Sequence, residues 1–511
     1  MANAPSRSDV PKTPAAVSGV QLARGIGVQI SRGFWAEAWS QVIRRRAALI
    51  ALTWLSIVAF FAVFAPFLAS GHPLWMSAAD GSGGGSPLWE HLTALDLVLF
   101  WCTLIGVPVI VLGTGRHRSS RLGAVLSGIV LAILILATSL VIGGSLESMA
   151  IQAGREALRT GTAPTGVGVI GRHAMAGLMV SGAVAVLLGG VMLLLPIGKL
   201  PIRAAVVLVA CVIAVWSVQA RWSPKLEQFS YPQKEVAGEI QATYTLVPWS
   251  PNQRFSSLSR KPPGTEFAAA LDYPQTSPVA GRTFRMGTDA FGADVFSQIL
   301  HACRLSISIG VVSTAIALLI GVTMGALMGY FGGWVDLLLY RVVEIFMAVP
   351  VLFLLIVSVA VLPNELKTTY VIMAIIGCFT WTGMARFTRA EFMKLRNQDF
   401  VQSAQASGLP LRSILFKHIL PNGVAPVLVD TSFAVAAAIG IEATLSYLGL
   451  GPVDSPSWGR LLSFAISQDG EFKWWLAVFP GMAIFLTVLS YNFLGEALRD
   501  AIDPKLKKAR V

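Results

Sequence analysis

Charge is what this sequence has least of. Asp, Glu, Lys and Arg make up 13% of its 511 residues, where a soluble domain carries about a quarter. The shortage is local: long uncharged apolar runs alternate with short basic stretches, the pattern of a polytopic helical membrane protein. Cysteine is scarce too. Cys102, Cys211, Cys303 and Cys378 lie far apart in or beside apolar runs and form no CxxC pair, which excludes a disulfide framework or a thiolate metal site. The six histidines show no HExxH spacing. There is no Walker A loop, because Gly198-Lys199-Leu200 lacks the Ser or Thr that holds magnesium. No GxSxG elbow suits a hydrolase. The chain therefore reads as no enzyme in itself, with no cofactor of its own. Residues 1–46 lack the short apolar core and small-residue cleavage site of a signal peptide, so the first apolar run is expected to remain as an anchor.

The formal charge of +12 does not point to nucleic acid. Lys and Arg gather at the ends of apolar runs, where they set membrane orientation. A bilayer core of about 30 Å needs roughly 20 apolar residues in a helix. About ten such runs are legible: 47–69, 92–113, 122–144, 174–197, 200–218, 304–330, 337–362, 369–386, 425–450 and 474–495. Arg44-Arg45-Arg46 places the N-terminus in the cytoplasm. The basic hinge at Arg116, Arg118 and Arg121, the one at Lys199 and Arg203, the stretch from Arg386 to Pro421 and the tail with Lys505, Lys507, Lys508 and Arg510 then all fall inside. The expected division is a tail (1–46), a first span (47–70), an inserted region with about four helices (71–219), an extracytoplasmic segment (220–303), a core (304–500) and a second tail (501–511). Residues 81–87 read as a flexible external loop, and 220–301 as a small irregular cap.

Ionisable residues inside such runs are functional candidates. Asp96 and Asp336 sit near helix ends, where capping or snorkelling accounts for them. Arg341 and Glu344 share a helix face and are placed to pair. Asp430 and Glu442 lie deeper on one helix, facing either protein or a water-filled translocation path.

The richest segment is cytoplasmic, 399–421. Asp399-Phe400-Val401-Gln402-Ser403-Ala404-Gln405-Ala406-Ser407 reads as a short helix with small residues that allow close approach. Gly408 can take the left-handed conformation that ends it, and Pro410 can start the next helix. Leu411, Ile414, Leu415 and Ile419 form an apolar stripe, and Pro421 is expected to stop that helix. The result is either a stiff knob between spans or an interfacial helix lying on lipid headgroups.

These residues resemble the "EAA" coupling loop of ATP-binding-cassette importer permeases. Gln402-Ser403-Ala404, Gly408 and Ile419-Leu420-Pro421 occupy the Glu-Ala-Ala, Gly and Ile-Leu-Pro positions of that pattern. Gly287-Thr288-Asp289-Ala290-Phe291-Gly292-Ala293-Asp294 with Arg304-Leu305-Ser306, Gly329-Tyr330-Phe331-Gly332-Gly333-Trp334-Val335-Asp336, Glu442-Ala443-Thr444-Leu445-Ser446-Tyr447-Leu448-Gly449 with Pro456-Ser457-Trp458-Gly459, and Leu498-Arg499-Asp500 resemble the C-type subunit of the dipeptide/oligopeptide permease family. Phe34-Trp35 and Ala65-Pro66 are similar to that subunit's first helix.

The resemblance implies an all-α transmembrane bundle of the type I importer permease fold, in the inner (plasma) membrane. It implies a homologous B-type permease subunit, two ATPase subunits that bind ATP and magnesium, an extracytoplasmic solute-binding protein and a peptide or peptide-like substrate. Asp399, Phe400, Val401, Gln402, Ser403, Ala404, Gly408, Ile419, Leu420 and Pro421 would form the ATPase-coupling knob, with Phe400, Val401 and Ala404 in contact with the ATPase. Two features depart from the family. Gln402 keeps hydrogen bonding but lacks the charge of the family's Glu. The family has six spans, and the four extra near 92–218 preserve topology because they are even in number. An ion-coupled secondary transporter, with Asp430 and Glu442 as coupling carboxylates, and a membrane scaffold are the alternative classes.

Overall fold

A computed structural model describes residues 34–79, 85–111, 122–139, 167–194, 200–220, 230–267, 281–363, 366–452, 455–467 and 470–502. Residues 1–33 and 503–511 of the expected tails, most of the 81–87 loop and much of the sequence between the inserted helices lie outside these residues.

The chain begins with an amphipathic helix, α1 (Phe34–Arg44), and the first apolar helix, α2 (Arg46–Leu68). The inserted region supplies α3 (Ala94–Val111), α4 (Leu122–Ser139), α5 (Val167–Leu194) and α6 (Leu200–Ala220). These four share their own core, with Val98, Leu131, Ile135, Leu136, Val184, Val207 and Ile213 buried together. The 37-residue α7 (Val295–Phe331) follows, then α8 (Gly333–Ala348), α9 (Val351–Val361), α10 (Thr369–Thr380) and α11 (Thr382–Leu395). Next come α12 (Asp399–Ala406), the single turn α13 (Leu411–Ser413), α14 (Leu420–Tyr447), the short α15 (Trp458–Ser463) and α16 (Trp474–Ile502).

Among the described residues, five helices are long and apolar enough to cross a membrane, or seven if each of two bent pairs is one span. The count of about ten expected from composition is not reached by this measure. The apolar stretches Leu95–Val109, Leu178–Leu193 and Pro201–Trp216 lie within α3, α5 and α6. The run expected at 337–362 is broken: α8 and α9 meet at 79°. Val349 is extended there (φ −107°, ψ 133°), as the residue before a proline prefers. α10 and α11 meet at 44°.

Short strands and loops form a small cap at one end of the helices. β1 (Trp75–Ala78) pairs antiparallel with β2 (Ile240–Thr243), Trp75 opposite Thr243, and β3 (Thr265–Glu266) pairs with β4 (Thr283–Phe284). Trp249, Phe267, Phe284 and Leu258 bury together with Ala65 and Ala69 of the first span's outer end. Trp249 stacks on Phe284, centroids 4.9 Å apart.

A close helix pair positions the segment that follows α11. Gly321, Gly325 and Gly329 of α7 recur every fourth residue against α11. A Cβ at these positions would lie 2.9 Å from the Trp381 carbonyl oxygen, 2.5 Å from that of Ala385 and 2.6 Å from that of Arg389. Only bare backbone permits this approach, the small-residue packing of membrane helices.

Candidate functional site

α11 delivers the chain to the segment 399–421. α12 ends in a Schellman closure: the Leu409 N–H donates to the Ala404 carbonyl at 3.2 Å and the Gly408 N–H to that of Gln405 at 2.9 Å. Gly408 holds φ 68°, the left-handed position where glycine pays no Cβ penalty. Pro410 (φ −65°, ψ 146°) caps the next turn rather than lying within it.

Val401, Ala404, Ile414 and Ile419 are buried against Phe392 and the partly buried Ala326, Tyr330 and Leu395. Burying one such aliphatic side chain contributes about 1.5–3 kcal/mol, so the knob is anchored to the ends of α7 and α11. Val401 is 0% exposed and Ala404 5%. This corrects the expectation that both touch a partner: they face their own chain. Asp399, Phe400, Gln402, Ser403, Gly408 and Pro421 are exposed and Leu420 is half-buried. The Gln402 amide donates to the Asn397 carbonyl at 3.3 Å, a bond that a carboxylate, acceptor only, could not make.

Pro421 does not stop the second helix. Residues Ile414–Ile419 form a π turn that runs directly into α14, with Pro421 in its first turn. The wider turn relieves the clash of the proline ring with the carbonyl four residues back. The knob and α14 are therefore one continuous element.

Further residues lock this region. Arg389 of α11 binds Asp336 of α8 through both guanidinium edges, Nε to Oδ1 at 2.5 Å and Nη2 to Oδ2 at 2.6 Å. Arg396 donates to the Tyr330 carbonyl at 3.2 Å, capping the end of α7. Sequence reasoning missed both, and the close approach of α7 to α11. The fourfold glycine spacing at 321, 325 and 329 was the signal available for the last. Arg341 and Glu344 do pair, at 2.6 Å on an exposed face.

Asp430 and Glu442 lie on α14 but in different settings. Glu442 is 1% exposed, and its Oε1 accepts the hydroxyls of Ser446 at 2.6 Å and Ser457 at 2.7 Å. It ties α14 to the start of α15 and does not line an opening. Asp430 is half-buried, with Arg499 as its electrostatic neighbour. An open groove of about 520 Å³ is lined by Gly440 of α14 with Leu462, Gly481, Phe485, Val488 and Asn492, and neither Asp430 nor Glu442 is in its lining.

On the outer side, Asp289 accepts the Phe291 and Ala293 N–H groups at 2.8 and 2.9 Å and the Gln298 amide at 2.7 Å. Asp294 caps α7 by accepting the Ser297 N–H at 2.7 Å. Burial pushes the Asp294 carboxyl up to about 7 against the opposing pull of backbone donors. Among the described residues, no group of His, Cys, Asp and Glu could hold a metal.

Residues 321–508 match the family model described as binding-protein-dependent transport system inner membrane component, and residues 33–78 that of the N-terminal TM domain of oligopeptide transport permease C. A dipeptide transport system permease protein of Alkalihalophilus pseudofirmus is 38% identical over 222 residues, 43% of this chain and 72% of that protein. An oligopeptide transport system permease protein of Bacillus subtilis is 41% identical over 223 residues, 43% of this chain and 72% of that protein. A glutathione transport system permease protein of Pectobacterium atrosepticum is 38% identical over 238 residues, 46% of this chain and 78% of that protein.

Proposed function

Because the chain belongs to the family of binding-protein-dependent transport system inner membrane components, we propose that it is the C-type permease subunit of an ATP-driven importer of dipeptides, oligopeptides or peptide-like solutes. It works in the inner membrane beside a homologous B-type subunit. Two ATPase subunits bind ATP and magnesium on the cytoplasmic side, and a solute-binding protein delivers cargo from outside.

One observation carries this reading: the segment 399–421 is a packed projection continuous with a membrane helix. A ligand shifts a two-state equilibrium only through different affinity for the two states. The ATPase pair would supply that difference on binding ATP. A projection with Val401, Ala404, Ile414 and Ile419 buried in its base passes displacement on, where a loose loop would absorb it. Its exposed face, with Phe400, Gln402, Ser403 and Leu409, is available to the ATPase. Displacement then reaches α14, which borders the groove of about 520 Å³. We assign the solute path to that groove, which the B-type subunit would close. Its largely apolar wall offers a polar peptide few places to stick.

The test is uptake of a radiolabelled peptide by proteoliposomes holding the purified complex. Uptake should require internal ATP and persist when ionophores collapse ion gradients. Uptake driven by a proton or sodium gradient without ATP would instead favour an ion-coupled carrier.

A further inference from the structure

A small cleft on the extracytoplasmic face joins two segments that the transport reading leaves unassigned. One wall is the loop 251–254 and the other is 455–464, with Asp289 at the base. The Arg254 guanidinium lies over the Phe291 ring, 4.8 Å from its centroid, and that of Arg460 lies 5.9 Å from the centroid of Phe464. The two rings meet edge to face at 5.4 Å and 89°. Both arginines therefore stand on one aromatic pedestal, facing one cleft.

Neither arginine makes an ion pair among the described residues. Asp289 does not serve as their partner, because its oxygens are taken by the Phe291, Ala293 and Gln298 donors. Among the described residues, the cleft thus presents two cations against one engaged anion. Guanidinium stacked on an aromatic face is pre-organised and still free to bind carboxylate through its N–H edge. The cleft measures about 40 Å³. A water needs about 10–15 Å³ on the same measure, so the cleft has room for a carboxylate.

We propose that Arg254 and Arg460 form a docking cleft for an acidic side chain of the extracytoplasmic solute-binding protein. This rests on the importer reading above. Charge complementarity and the size of the cleft favour a single Asp or Glu reaching in from a partner surface. The cleft also has a mechanical connection. Its 455–464 wall is tied by Ser457 to Glu442 of α14, the same 28-residue helix that starts at the cytoplasmic knob. An occupant of the cleft thus bears on the element that the ATPase moves.

The test uses the complete transporter in lipid nanodiscs with the solute-binding protein that stimulates its ATPase. R254Q and R460Q should each weaken that protein's Kd about tenfold and flatten the salt dependence of its association rate, as loss of steering charges does. Basal ATPase without the binding protein should be unchanged. R254K and R460K, which keep the charge, should retain the salt dependence. Unchanged affinity in R254Q/R460Q would overturn the proposal. So would unchanged affinity with selective loss of transport for free-carboxylate peptides and not C-terminally amidated ones, because the cleft would then read cargo. If no solute-binding protein stimulates the unaltered complex, the importer reading itself fails, a result separable from the others.

Discussion

Asp96 on the first inserted helix and Arg304 on the long core helix form an ion pair across 208 positions of sequence, the carboxylate buried and the guanidinium half-buried. Arg304 also donates through Nε to the Ala62 carbonyl of α2 at 2.8 Å. Asp96 is further held by the Thr93 N–H and hydroxyl, at 2.8 and 2.6 Å. The inserted helices are thus fastened to the core through a charge, and through the packing of Phe100 and Trp89 on Phe67.

Breaking that pair should cost more than removing it. Asp96→Ala leaves a half-buried guanidinium without its carboxylate, a loss of about 1–3 kcal/mol. Asp96→Ala combined with Arg304→Leu should recover part of it. Thermal unfolding of the complex in nanodiscs reads both, with the double variant melting above the single.

Gly408 sits at φ 68° with open space where a Cβ would go, so only backbone strain opposes substitution. Gly408→Ala should cost about 1 kcal/mol and Gly408→Val more, because a branched Cβ disfavours positive φ. Gly408→Asn should be tolerated. Membrane insertion should be normal in all three. The ratio of peptide imported to ATP hydrolysed should fall in Gly408→Val alone.

The knob has an inner and an outer face, and substitutions should separate them. Val401→Ala removes buried methyl groups and should lower the stability of the subunit by about 1–3 kcal/mol. Phe400→Ala, on the exposed face, should leave melting unchanged and weaken co-purification of the ATPase. Gln402→Glu loses the donor to Asn397 and should lower stability by less than about 1 kcal/mol.

Asp294 gives a pH dependence. Its folded carboxyl is raised to about 7 from 3.8, so the folded state binds the proton more tightly than the unfolded one. This contribution is fully present below pH 3.8 and is lost as pH rises towards 7. The slope approaches about 1.4 kcal/mol per pH unit in that window. Asp294→Asn should flatten the melting temperature against pH between 4 and 7.

The sequence carried the membrane class and the helical end at Gly408, because each is set by local composition or backbone preference. It did not carry which face of α12 turns inward. Val401 and Ala404 share a stripe on a helix of eight residues, and only the ends of α7 and α11 decide whether that stripe meets its own chain or another. Pro421 reads as a stop unless the preceding turn is known to widen. For Glu442 the sequence leaves open protein packing or a water-filled path, and Ser457, fifteen positions away, decides it by closing on the carboxylate. The Asp96–Arg304 pair depends on tertiary placement that no local pattern encodes.

Cross-linking from the knob decides the central point most directly. With the four native cysteines replaced by serine, a cysteine at Phe400→Cys should cross-link to an ATP-hydrolysing subunit in inverted membrane vesicles. The yield should change on adding ATP, and Val401→Cys should give almost none. Labelling of Phe400→Cys by an impermeant thiol reagent added outside intact cells would contradict the account. So would full peptide uptake in vesicles where that position meets no other subunit.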